Sequence, residues 1–369
     1  MKLTIKREDL LKPLQLSIGV VERRQTMPIL ANVLLSVKNQ ELSVVATDLE
    51  VELSSTISID VASDKNCAVT VSGRKIVDIC RTLPANSVID IEENGKSLTI
   101  RSGNSHFNLA TLPVDEFPRI QNQQEKASFN IPQKTLLSLV KRTHFAIAEN
   151  NPHYYLNGLL LEIKDGIVRA AASDGHRMSI YELEGPAEKD LLARVIVPQK
   201  AIQELLRLLS DSDDQVTVSI TKNYIHIQCE NFTLISKLID SKYPNHNKLI
   251  PHGGDKKIIL DRDDFKNALV RVGILSNEIL RSMRLELLPN LLRMVSNNNE
   301  QEKAEESIPI DYSGSNLEIG FNIAYLLDVL NTIKTNEISM TFKDGASGII
   351  IEEVNGEESC LYVVMPFQL

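Results

Sequence analysis

Apolar residues recur at helical spacing in six stretches of this chain. The clearest is 73–84, GRKIVDICRTLP, where Ile76, Ile79, Cys80 and Leu83 fall three or four residues apart and predict one buried face. A second, 198–210, opens on a proline, which a first helical turn tolerates, and a third spans 322–333. Their starts at 73, 198 and 322 are separated by 125 and 124 residues. Earlier helices read at 8–21, 133–148 and 262–276. Each member of this earlier set is followed by two strand-like runs: 29–37 and 42–48, 155–163 and 167–174, 284–288 and 291–297. Each member of the later set is followed by two or three more, within 88–113, 215–239 and 337–366. VIDIE and TVSI alternate as half-buried antiparallel strands do, and Asn94-Gly95, Lys222-Asn223 and Asp344-Gly345 supply turns.

One unit is therefore written three times: strand, helix, strands, helix, strands. Polar QNQQEKAS and the Pro/Gly segment PHGGDKK place its boundaries, giving domains at 1–125, 126–253 and 254–369. Each copy is long enough to bury its own core. The expected fold class is α+β, with mostly antiparallel sheets carrying two helices per domain on one face.

Composition adds little to this picture. The 369 residues are 43% apolar and 24% charged, as in an ordinary globular protein. Cys67, Cys80, Cys229 and Cys360 are scattered with no CxxC, which suits a reducing compartment and favours neither a disulfide framework nor a metal site. A charged N-terminus and the lack of any long apolar run predict a cytoplasmic protein. No cofactor is called for: phosphate-loop, nucleophile-elbow, zinc-protease and dinucleotide motifs are all missing. Gly95-Lys96-Ser97 has Asp90 where a phosphate loop needs its first glycine. Ser173-Asp174-Gly175-His176-Arg177 alone looks like a site, and Asp174 with His176 could do acid–base work. Asp48 holds the matching place in the first copy with no histidine near it, which favours a turn.

Charge is uneven. With the last stretch taken to Lys334, the six helical stretches sum to +6 within a chain of net charge −9, leaving −15 elsewhere. Screening limits a charge's reach to about 8–10 Å, so local field, not the total, governs attraction to phosphate. An acidic total therefore leaves DNA open as a partner.

Longer stretches now point to a family. LLKPL (10–14), MPILANVLL (27–35), TDLEVEL (47–53), YYLNG (154–158), SDGHRM (173–178), ILSNE (274–278), NNNEQEKAEE (297–306) and YVVMPFQL (362–369) resemble the DNA polymerase III beta subunit family, the bacterial sliding clamps, from end to end. The resemblance implies three clamp domains per chain, two chains head-to-tail as a homodimer ring, helices lining a hole around duplex DNA, and no catalysis. It also implies partners that bind by short linear motifs: the polymerase III alpha subunit, the clamp loader, other polymerases and repair proteins. Two other readings remain, a decoy or inhibitor-resistant clamp paralogue and an enzyme using Asp174 and His176.

By the same resemblance, the peptide pocket is formed by Leu156, Ser173, Gly175, His176, Arg177, Met178, Pro244, Leu249, Asn322, Tyr325, Val363, Met365 and Phe367. Gln368, Gly348 and Ser173 depart from the family's usual residues there. DNA is expected to meet Arg24, Asn150, Tyr154 and Tyr155, with Lys12, Arg81, Lys141, Arg142, Lys200 and Arg207 as inner-helix candidates. At the ring interface Phe107 and Leu109 are expected to meet Ile274 and Leu275 of the second copy, and Lys75 to face Glu300, Glu302, Glu305 and Glu306. Asn104 and His106 stand where relatives often carry arginine, and Lys303 interrupts the acidic run, so closure is expected to lean on apolar contact.

Overall fold

The computed structural model describes residues 1–22, 27–59, 67–121, 123–185, 187–356 and 359–367. Among them are six α-helices: α1 (Arg7–Ser17), α2 (Gly73–Thr82), α3 (Gln133–Thr143), α4 (Gln199–Leu208), α5 (Arg262–Gly273) and α6 (Ile323–Thr332). They begin where the apolar periodicity predicts and end earlier. α1 stops at Ser17 instead of running to 21: the Ser17 hydroxyl donates back to the Pro13 carbonyl at 2.9 Å, and Val20 and Val21 are buried in turns beyond it. α3 stops at Thr143, whose hydroxyl donates to the Leu139 carbonyl at 2.7 Å, and a 3-10 turn, His144–Ala146, follows. Side chains close the starts of the last pair. Asp261 accepts from the amides of Asp263 and Asp264, and Asn322 from that of Ala324.

Every strand pairing is antiparallel, and the strands make three sheets among the described residues. Contacts divide the chain into two compact units, Met1–Lys134 with Gln203–Leu238, and Thr135–Ile202 with Ile239–Leu369. The first unit holds a twelve-stranded sheet. Its eight N-terminal strands, from Lys2–Lys6 to Ser105–Leu112, join the second repeat where Val51–Ser58 pairs with Thr233–Lys237. The α1 helix lies against α2 and the strands Glu41–Thr47 and Val51–Ser58. Leu10, Pro13 and Leu14 form its buried stripe.

The second unit holds an eight-stranded and a four-stranded sheet. In the larger one, Arg177–Glu184 of the second repeat pairs with Ser359–Val364 of the third, Met178 opposite Val363. The smaller runs Lys303–Pro309, Leu291–Asn297, Ser282–Leu288, Leu317–Asn322, with α5 packed on α6 and on its first strand. The second repeat thus contributes strands to both units: four continue the twelve-stranded sheet and four the eight-stranded one.

Three strands had no clear signature. Val51–Ser58, Arg177–Glu184 and Lys303–Pro309 each follow a polar turn and carry charged residues among the apolar ones. They are strands because an already formed neighbour offers them an edge, so tertiary pairing overrides local preference.

Candidate peptide-binding site

The strand Ile167–Ser173 ends in the turn that the sequence marks out. Asp174 Oδ1 accepts from the amides of His176 and Arg177, both at 2.9 Å, and Gly175 takes φ +92°, which a side chain disfavours. The Ser173 hydroxyl accepts from the Gly175 amide and donates to the Arg177 carbonyl. Asp48 does the same work in the first repeat, accepting from Glu50 and Val51 amides at 2.9 and 2.7 Å. Asp174 is therefore a turn builder.

The turn sets His176 and Arg177 against the third repeat. The His176 ring lies 5.9 Å from that of Tyr325 at 17°, and the Arg177 guanidinium sits 4.7 Å from the same ring and 5.3 Å from that of Phe145. Arg177 pairs with Asp174 and with Asp328 on α6. Burial, and after it the Asp174 carboxylate, push the Tyr325 phenol above its ordinary value. The chain end closes the group: the Met365 amide donates to the His176 carbonyl at 2.7 Å, leaving Met365 39% exposed. A Cβ at Gly348 would lie 2.8 Å from the Met365 sulfur and 3.2 Å from Pro251 and Val363, so glycine leaves the methionine its place.

Under this surface lies an apolar cluster of Leu160, Ala171, Met178, Ile180, Ile196, Tyr243 and Val363, flanked by Tyr155 and Ile250. Met178, Val363, Ser173 and Leu156 are buried and form floor, whereas Leu249 is half exposed and Pro244 partly so. Asn322 caps α6 and donates to the Leu280 carbonyl. Phe367 is partly buried. Its amide donates to the Gly320 carbonyl at 3.1 Å, and its side chain lines a cleft of about 290 Å³ with Ser282, Arg284, Val295 and Asn297, none of them in the expected pocket. Gln368 lies outside the described residues. Phe145 and Asp328 were missed in the sequence; no local pattern marks them, because both act through Arg177 from distant elements.

Other expected sites fare unevenly. Arg142 needs correction as a DNA contact: its side chain is 3% exposed and paired at 3.0 Å with Glu353, itself 3% exposed. Tyr154 is 74% exposed, but Tyr155 packs on His153 and edge-on against Tyr243. Arg207 is 37% exposed and tied to Glu204 and to the Gln15 and Leu16 carbonyls. Lys200 is partly buried. Lys12, Arg81, Lys141 and Asn150 are exposed, and Arg24 lies outside the described residues.

The expected interface residues lie along two free sheet edges. Phe107 and Leu109 are half-buried on Ser105–Leu112, whose 105–110 portion pairs on one side only among the described residues. Lys303–Pro309 is the edge of its sheet, and Ile274, 75% exposed, and Leu275 follow α5 beside it. The acids there are partly satisfied within the chain: Glu306 bonds Arg271 at 2.7 Å and Glu305 bonds Lys303 at 2.7 Å. Glu302 bonds Asn298, Glu300 is exposed, and Lys75 is exposed on α2.

Known proteins share this architecture. Three family models match in succession: the DNA polymerase III beta subunit N-terminal domain at residues 1–121, its central domain at 130–245 and its C-terminal domain at 247–368. The beta sliding clamp of Pseudomonas putida is 44% identical over 369 residues, and that of Escherichia coli K12 40% over 370, with all of each chain covered. A crystal structure of the Pseudomonas aeruginosa sliding clamp bound to griselimycin superposes with TM-score 0.96 at 44% identity, covering both chains fully. Three tandem clamp domains define the class, a non-catalytic processivity factor. Within that class, the chain belongs to the DNA polymerase III beta subunit family.

Proposed function

We propose that two copies of this chain close head-to-tail into a ring around duplex DNA in the cytoplasm, with clamp domains at 1–125, 126–253 and 254–369. The ring holds the polymerase III alpha subunit, the clamp loader, other polymerases and repair proteins by short peptide segments. One observation carries this reading. Two dissimilar free sheet edges, 105–110 in one compact unit and 303–309 in the other, carry apolar side chains on or beside them. A contact between unlike patches closes into a ring when its rotation allows, and it removes both edges.

The activity is then topological. A closed ring stays on DNA without strong contacts, so exposed Lys12, Arg81 and Lys141 serve as loose, salt-sensitive phosphate contacts that permit sliding. No base readout is involved. The peptide site offers an apolar floor, a polarizable Met365 and the His176–Tyr325–Arg177 stack, which suits several related motifs.

Sedimentation tests the ring. A species near twice 41.3 kDa is expected, dissociating with little dependence on salt because Glu305 and Glu306 already have partners in their own chain. A monomer at micromolar concentration would overturn the ring, and steep salt dependence would overturn its apolar closure.

A further inference from the structure

The segment Tyr243–Leu249 carries two residues of the proposed peptide site, Pro244 and Leu249. Beneath it, four charges stand in one cross-strand row. Glu162 is in register with Arg194 on one side and Arg169 on the other, and Arg169 with Glu182. Arg169 bonds Glu162 at 2.8 Å and Glu182 at 2.5 Å, and Arg194 lies 3.5 Å from Glu162. Arg194 also donates to the Tyr243 and Pro244 carbonyls at 3.3 and 3.2 Å, so the row reaches the main chain of the rim.

His246 rests on the same charges. It is 3% exposed, and neither ring nitrogen has a hydrogen-bond partner. It opens the 3-10 turn His246–Lys248, which the Asn245 side chain caps and which the Leu249 amide closes on the His246 carbonyl at 2.9 Å. A partnerless imidazole here is seated neutral. Burial, then Arg169, hold its pKa below the ordinary 6.5; Arg194 acts the same way, and Glu162 and Glu182 oppose them.

We infer that Tyr243–Leu249 is an acid-sensitive latch on the peptide site: neutral His246 seats the rim, and protonated His246 lifts the turn from the Arg169–Arg194 row and withdraws Pro244 and Leu249. The lifted turn returns the imidazole to water and to its ordinary pKa. The seated state therefore has its full stability above about pH 6.5 and loses it as pH falls below, by up to about tenfold in the lifted-to-seated ratio per pH unit. The functional consequence rests on the peptide-site reading.

Amide hydrogen exchange of the full chain between pH 7.5 and 5.0, corrected for intrinsic rates, tests the latch without any ligand. Protection of 243–250 is expected to fall by up to about tenfold per unit below pH 6.5, to stay level in H246F, and to stay level in strands 158–198 of both proteins. An unchanging profile in the native chain, or an equal fall in H246F, would overturn it. If H246F does not fold, carbon-13 titration of the native His246 ring decides: a pKa below 6.5 supports the latch, and one at or above 6.5 overturns it. Griselimycin titrated at pH 7.5 probes the site separately; failure to bind there would count against the peptide site and leave the exchange result standing.

Discussion

Replacing Glu353 by Gln keeps the shape of that side chain and removes its charge. Arg142 and Glu353 are each 3% exposed and 3.0 Å apart, and Arg142 also lies 3.4 Å from the Tyr362 hydroxyl and over the Tyr181 ring. Removing one member of a buried ion pair costs about 3–5 kcal/mol, because the other charge stays desolvated without its counterion. The unit that holds both has about 200 residues, for which each kcal/mol moves Tm by about 2–4 °C, so E353Q is expected to melt about 6–20 °C lower. R142M should cost less, since Glu353 keeps the Lys334 amide as a donor at 2.7 Å. The double variant R142M/E353Q, which removes both charges, should recover most of the loss. Calorimetry of the four proteins closes the cycle. A loss under about 1 kcal/mol in E353Q, or no recovery in the double variant, would refute the claim that this buried pair is a coupled unit.

Three further outcomes are expected of the same structure. R177K is expected to weaken motif-peptide binding at the proposed site several-fold in a fluorescence titration, because lysine cannot keep both carboxylates and both rings in place. Burial pushes the Cys80 thiol up to about 12 and Cys229 to about 11, so an aromatic disulfide reagent at pH 8 should label partly exposed Cys67 and spare those two until unfolding, as mass spectrometry would show. I274D should leave Tm within about 1 °C, since Ile274 is 75% exposed, yet convert the proposed dimer to monomer in sedimentation.

The threefold repeat was legible because it rests on helix periodicity, which needs only one buried face per helix. Helix ends were less so: Ser17 and Thr143 end α1 and α3 by bonding back to their own turns, while apolar residues run on past them. Ser173-Asp174-Gly175-His176-Arg177 was readable as a turn from Asp48 in the first copy, and both aspartates accept the same pair of amide bonds. Arg142 was not readable. It adjoins exposed Lys141, and the carboxylate that buries it lies 211 positions away in sequence. His246 was equally silent, since its surroundings come from four strands.

In the proposed ring, closure and not affinity keeps this protein on DNA. Clamps loaded by a clamp loader onto nicked circular DNA and isolated by gel filtration test it most directly. The protein is expected to stay with the circle and to be lost rapidly once a restriction enzyme makes the DNA linear. Equal retention on linear and circular DNA would contradict it.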